Sequence, residues 1–159
     1  MLIYTYGITL QGTYHAKNNL VCQDYHEIKK CSETLVIAAV ADGLGSAAHS
    51  DVAAKMAAEL STEYCKNNIT PNSSAEEILG TIVVSFVASL RAIEAEAKAH
   101  RHDVSQYDTT LTLAVLINDT LYYGHSGDSG IVALTTEGLY EKVTEQQRDE
   151  KGVCFSVDI

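Results

Sequence analysis

Apolar residues recur every three or four positions between Asp51 and Ala97, and after His102 the recurrence falls to two. That change of period limits the fold more than any other feature of the chain. Val52, Ala53, Met56, Ala57 and Leu60 line one face of a helix predicted to run through about Tyr64. Ile78, Ile82, Phe86, Leu90, Ile93 and Ala97 form the stripe of a second helix, read as core rather than as a cofactor surface. Between them the segment CKNNITPNSS holds the only proline, followed by two candidate capping boxes, Ser73 with Glu76 and Ser74 with Glu77. Ser46 or Ser50 is the candidate cap of the first helix.

On either side of the helices the chain reads as strands. Residues 3 to 10 (IYTYGITL) and Asp24 to Ile28 have strand composition, and Leu35 to Ala41 (LVIAAVA) is apolar throughout, as in a strand buried on both faces. Thr110 to Ile117, Leu121 to Tyr123, Ile131 to Leu134 and Leu139 to Val143 alternate and are separated by tight turns. Such turns join antiparallel neighbours. Strands, two long helices, then strands predict an α+β fold, with a mixed antiparallel sheet and the helices segregated onto a face.

At 159 residues and 46% apolar content, the chain can bury one core and is expected to be a single domain or part of one. Its formal charge of −10 is spread along the sequence and would repel a phosphate backbone, which disfavours nucleic acid as a partner. Cys22, Cys31, Cys65 and Cys154 form no CxxC pair, so neither a zinc ribbon nor a dithiol redox motif is suggested, and reduced thiols in the cytoplasm are the plain expectation. The first twelve residues lack the basic leader of a secretory signal. The best membrane candidate, Ile78 to Leu90, is shorter than the ~20 apolar residues a bilayer needs, so no membrane span is expected. Oligomeric state is not legible.

The stretch VIAAVADGLGSAAHSDVAA joins the buried strand to the first helix. Gly43-Leu44-Gly45-Ser46-Ala47-Ala48 satisfies the GxGxxA dinucleotide pattern in form. Asp42 argues against it, because a carboxylate there would repel a pyrophosphate, and no second parallel strand follows. The alternative begins with that carboxylate. An aspartate at the end of a buried strand needs compensation, and the flanking glycine lets a carbonyl approach the same point. A hard divalent cation such as Mg²⁺ or Mn²⁺ would satisfy both oxygens. A plain turn cap at Asp42 remains open on these residues alone. Asp24 and Asp128 are further carboxylates at strand ends, and their meeting with Asp42 would be favourable only around cations.

Gly12-Thr13-Tyr14-His15, then Cys22-Gln23-Asp24, VADGLGSAAHSDVAA, Asp108-Thr109-Thr110-Leu111 and GHSGDSGIVAL occur in an order that resembles the metal-dependent protein phosphatases of type 2C, in their bacterial branch, over about residues 7 to 145. The resemblance implies a β-sandwich flanked by antiparallel helices, with two Mn²⁺ or Mg²⁺ ions at one end. It implies hydrolysis of phosphoserine and phosphothreonine in protein substrates by direct attack of hydroxide, without a phosphoenzyme. By position, Asp24 would contact the water shared by the ions, Asp42 would bridge them, the Gly43 carbonyl would ligate one, and Asp128 would stand beside a third, weaker ion. Asp24 and Asp42 are thus the implied catalytic carboxylates, and Thr109 and Thr110 the implied support beneath them.

Departures from the family pattern matter. Asn19 stands where many members carry a phosphate-gripping arginine, with Lys17 the nearest cation in sequence, and Leu44 stands where some carry a histidine. His15, His49 and His125 lie near the motifs but read as turn or surface residues. Two further aspartates of the family's site come from a C-terminal portion beyond the last residues here, and Asp158 falls too early to serve as one. The chain is therefore expected to be the N-terminal part, 1–159, of a single phosphatase-like domain, with a fold incomplete at its C-terminus. Two rivals remain: a catalytically silent phosphatase-like regulatory or binding module, and, more remotely, a dinucleotide-binding oxidoreductase.

Overall fold

Four antiparallel strands in the order β1-β2-β3-β4 form the central sheet. The computed structural model describes residues 3–148, within which β1 is Asp24–Lys30, β2 Leu35–Asp42, β3 Leu111–Ile117 and β4 Thr120–Ser126. A separate ribbon pairs β5 (Val132–Leu134) with β6 (Tyr140–Lys142). Every ladder among the described residues is antiparallel. The parallel β-α-β unit that a dinucleotide fingerprint at Gly43–Ala48 requires is therefore not present among them, and the oxidoreductase rival is set aside.

Among the described residues three α-helices accompany the strands, α1 (Thr13–Lys17), α2 (Ser50–Asn68) and α3 (Ala75–His100), with a short 3-10 helix at Val104–Tyr107. The long pair is inserted between β2 and β3 and packs on one face of the sheet. Alternation along the two central strands explains which face. Leu35, Ile37, Ala39 and Ala41 of β2 and Leu111, Leu113, Val115 and Ile117 of β3 are all buried and point the same way, toward Ala53, Ala54, Ala57 and Ala58 of α2 and Ile78, Ile82, Ile93 and Ala97 of α3. Each large aliphatic side chain so buried stabilises the fold by roughly 1.5–3 kcal/mol. Gly124 of β4 lets α3 approach, since a Cβ there would lie 2.6 Å from Ile82 Cγ2.

The run LVIAAVA is buried throughout on the helix face, whereas on the opposite face Val36 is buried but Ala38 is only partly so and Val40 is 49% exposed. The α2 stripe is also rolled from the predicted one. Ala54 and Ala58 are fully buried while Val52 and Met56 are only partly so and Leu60 is exposed, as small side chains allow close contact with sheet and α3 together. Neither Ser46 nor Ser50 caps α2: His49 holds the N-cap position without a side-chain bond, and Ser50 lies inside the first turn. On α3 the second candidate box is the real one, with Ser74 N–H donating to Glu77 Oε2 (2.7 Å) and Glu77 N–H to Ser74 Oγ (3.3 Å). By length and composition α3 would suffice to cross a membrane, unlike the shorter window the sequence marks; here one face of it packs in the core.

Residues 3 to 10 belong to no strand. They lie against β1 through side chains, with Lys30 Nζ donating to the Ile3 carbonyl (3.0 Å) and Thr9 Oγ1 bonded to His26 Nδ1. Tyr4, Tyr6, Ile8 and Leu10 are exposed. Alternating composition reports an extended chain, but a ladder needs a backbone partner as well. The predicted thiol Cys154 and the unassigned Asp158 lie outside the described residues, and Cys22, Cys31 and Cys65 are free thiols.

Candidate metal centre

Asp24 opens β1 and Asp42 closes β2, and the register makes them direct partners. Directly opposed residues of an antiparallel pair share a face, so both side chains emerge together at one end of the sheet. The carboxyls are close enough to share a hydrogen bond when one of them is protonated. Partial burial, then the bond and charge of Asp24, then the charge of Asp128 push the Asp42 carboxyl up to about 6. Asp128 is thus close enough to be felt at the same rim.

The turn after Asp42 is held from three sides. Gly43 N–H donates to the Gln23 carbonyl (3.0 Å) and Leu44 N–H to the Asp108 carbonyl (3.0 Å). Asp42 N–H donates to Thr110 Oγ1 (3.0 Å), while the Asp42 carbonyl accepts from Thr110 N–H (2.9 Å) and from Thr109 Oγ1 (3.1 Å). The threonine pair therefore fixes the backbone beneath Asp42, the supporting place the sequence suggests for it. Gly43 is buried, and a Cβ on it would sit 2.6 Å from the Ser50 carbonyl oxygen and 2.8 Å from that of Gln23. Only glycine lets strand and helix close this tightly.

Asp128 lies in the loop between β4 and β5, after Gly127 at φ 113. Ser129 Oγ reaches Thr110 Oγ1 at 3.3 Å, tying that loop to the start of β3. The Asp128 carboxylate is engaged by the Arg148 guanidinium. The structure thus brings Asp24 and Asp42 into contact and Asp128 to their edge. Among the described residues, no group of three or more Asp, Glu, His or Cys side chains is gathered tightly enough to enclose an ion.

The histidines serve elsewhere. His125 is bonded to Thr112 Oγ1 (2.8 Å) and to the Glu145 carbonyl (3.1 Å), His49 stacks on His102 with ring centroids 4.2 Å apart, and His15 lies in α1. Asn19 follows α1 in the left-handed region at φ 54, which asparagine tolerates. Two residues that the sequence does not single out also shape the centre. Gln23 Nε2 donates to Ser50 Oγ (2.7 Å), locking β1 to α2 behind the turn, and Arg148 reaches Asp128 from twenty residues away. Adjacency to Asp24 is the one signal pointing to Gln23; nothing local points to Arg148.

An antiparallel sheet carrying a helix pair, with paired aspartates at a strand end beside a glycine turn, defines the class of the phosphatase 2C fold. Residues 11–152 match the protein phosphatase 2C family model, and the chain belongs to that family. No curated protein matches the sequence. Solved structures that resemble it include the serine/threonine phosphatase PstP/Ppp of Mycobacterium tuberculosis, at 23% identity and a TM-score of 0.62, over 79% of this chain and 48% of that one. The serine/threonine phosphatase of S. agalactiae matches at 21% identity and a TM-score of 0.66, over 80% of this chain and 51% of its own. RsbX, determined in complex with magnesium, matches at 17% identity and a TM-score of 0.51, over 80% of this chain and 53% of its own. The chain spans about half the length of these relatives.

Proposed function

We propose that this chain forms part of a Mn²⁺- or Mg²⁺-dependent protein serine/threonine phosphatase that acts on phosphoserine and phosphothreonine in proteins. The contact between Asp24 and Asp42 carries the reading. Two carboxyls held together at a rim favour a shared proton or a cation, and burial, then the neighbouring Asp24 carboxyl, raise the Asp42 pKa to about 6. The donor set suits hard divalent ions, since it consists of carboxylate oxygens with the Gly43 carbonyl beside them.

In this reading Asp24, Asp42 and the Gly43 carbonyl hold the principal ions, and Asp128 serves a further, weaker one. Such ions, when bound, supply a hydroxide nucleophile near neutral pH and offset charge on the phosphoryl oxygens. The protein's own part is positional. Thr109 and Thr110 fix the Asp42 backbone, and Gln23 and Ser50 set the height of the Gly43 turn. A cation bound there would offset the charge that Asp42, raised only to about 6, carries beside Asp24 near neutral pH. The phosphatases among the structural relatives and the family match support the activity, and the free thiols support a reducing compartment, the cytoplasm.

Mn²⁺-dependent hydrolysis of p-nitrophenyl phosphate, with and without chelator, tests the proposal on this chain and on one carried past Ile159 wherever the reading frame continues. Chelator-sensitive turnover that Asp42→Asn abolishes is expected. A second reading, the catalytically silent binding module, draws on the Arg148 guanidinium already paired with the Asp128 carboxylate. Metal binding without turnover in either protein would select it.

A further inference from the structure

Arg148 does not reach Asp128 as a loose surface side chain. The segment that delivers it, 143–148, is laced to β4 and the loop that follows. Val143 N–H donates to the Ile131 carbonyl (2.9 Å), Tyr123 OH to the Val143 carbonyl (3.3 Å), and His125 Nε2 contacts the Glu145 carbonyl (3.1 Å). Gln146 Nε2 donates to the Asp128 carbonyl itself (2.9 Å), while Gln147 and Gly127 exchange two bonds, Gln147 N–H to the Gly127 carbonyl (2.8 Å) and Gly127 N–H to Gln147 Oε1 (3.1 Å). These bonds fix the approach of Arg148, so its pairing with Asp128 loses less side-chain freedom than an isolated surface pair would. The Asp128 side chain is 23% exposed and that of Arg148 45%.

A guanidinium and a divalent cation carry the same sign and seek the same carboxylate oxygens. We infer that Arg148 is a built-in competitor for the cation at Asp128, so that filling the weaker site requires Arg148 to withdraw. The inference rests on the proposed metal centre, within which it adds a negative coupling between metal and segment 143–148. The tighter ions at Asp24 and Asp42 are outside that coupling, because Arg148 pairs with the third aspartate.

Direct Mn²⁺ binding, read by the loss of the free-ion electron paramagnetic resonance signal and by titration calorimetry, tests it on the full chain. Arg148→Gln should tighten the weaker site about fivefold, the size of a modest ion pair, and leave the tighter site within twofold. Arg148→Lys should fall between, since lysine keeps the charge without the planar fork. Added NaCl should narrow the gap between wild type and Arg148→Gln. Equal weak-site affinity in wild type and Arg148→Gln, alongside tight binding that Asp42→Asn abolishes, overturns the inference and leaves the metal centre standing. No Mn²⁺ binding by either protein overturns both.

Discussion

Thr110 bonds to the backbone of Asp42 on both sides: its Oγ1 accepts from Asp42 N–H at 3.0 Å and its N–H donates to the Asp42 carbonyl at 2.9 Å. The side-chain half of this clamp continues the β2 to β3 pairing past the last ladder partners, Val40 and Thr112. It thereby holds the strand end straight where Asp42 must meet Asp24.

Thr110→Val tests that clamp. Valine keeps the shape but leaves Asp42 N–H without its acceptor, the hydroxyl of Thr110, a residue only 8% exposed. A loss of about 1–3 kcal/mol is expected, the range for an unsatisfied buried donor, together with weaker Mn²⁺ binding. Thr109→Val, which removes one of two donors to the Asp42 carbonyl, should cost about 0.5–1.5 kcal/mol. Urea unfolding of the two variants checks the order, and a larger loss for Thr109→Val would contradict it.

Asp42→Asn should stabilise the metal-free protein. Because the folded-state pKa is raised from 3.8 to about 6, the native state holds more protons than the unfolded chain between those values. Its contribution to stability is present below about pH 4 and is lost as pH rises through about 6. Asparagine carries no charge and escapes that loss. In EDTA at pH 7.5 the variant should be more stable by about 1 kcal/mol, after allowance for solvent screening at the rim, with the gap closing below pH 4. Mn²⁺ should reverse the order, raising the Tm of wild type alone. Thermal melts at the two pH values decide, and a variant that melts below wild type in EDTA at pH 7.5 counts against the crowding argument.

Much of this architecture is legible in the sequence because long periodic segments average over many residues. The alternation from Leu111 to Ile117 and the two ends of the α3 stripe, Ile78, Ile82, Ile93 and Ala97, predict the buried faces observed, whereas in mid-helix Ser85 and Ser89 are buried and Phe86 and Leu90 only partly so. Asp24 and Asp42 are legible as candidates, but their contact depends on a register that only the folded ladder fixes. Residues 3 to 10 mislead, since alternation cannot say whether a ladder partner exists. Gln23 and Arg148 escape notice for a different reason. Each acts through contacts across twenty or more residues, and such long-range contacts leave no period in the sequence.

Gly43→Ala should damage the centre more than its size suggests. The added methyl would meet two backbone oxygens, Ser50 O at 2.6 Å and Gln23 O at 2.8 Å, and neither can swing aside as a side chain could. The turn must shift instead, carrying the Gly43 carbonyl and Asp42 with it. Overpacking of this kind costs about 1–3 kcal/mol, and Mn²⁺ affinity should fall tenfold or more, since about 1.4 kcal/mol of misplacement suffices for that factor. Gly45→Ala is the control, because a Cβ there meets nothing closer than 3.8 Å. Similar Mn²⁺ affinities for the two alanine variants would refute the tight-turn account.

Gln23→Leu separates positioning from stability. Leucine fills a similar volume, but it cannot donate to Ser50 Oγ, which is fully buried and keeps its own bond to the Ala47 carbonyl at 3.1 Å. The hydroxyl therefore stays partly satisfied, and the expected stability loss is about 1 kcal/mol, the worth of one neutral hydrogen bond. The effect on metal should be larger in proportion. Gln23 holds the turn through its carbonyl to Gly43 N–H and through its amide to Ser50 Oγ and, more weakly, to the Ala47 carbonyl (3.5 Å), and freeing the amide ties lets α2 and the turn move apart. A threefold to tenfold loss of Mn²⁺ affinity is expected, about 0.7–1.4 kcal/mol by the usual conversion. Ser50→Ala should lose affinity to a similar degree, and the double variant little more than either alone, because both changes cut the same bond. Additive losses in that cycle, measured by calorimetric Mn²⁺ titration, would show that the two residues act separately and that the bond between them does not set the turn.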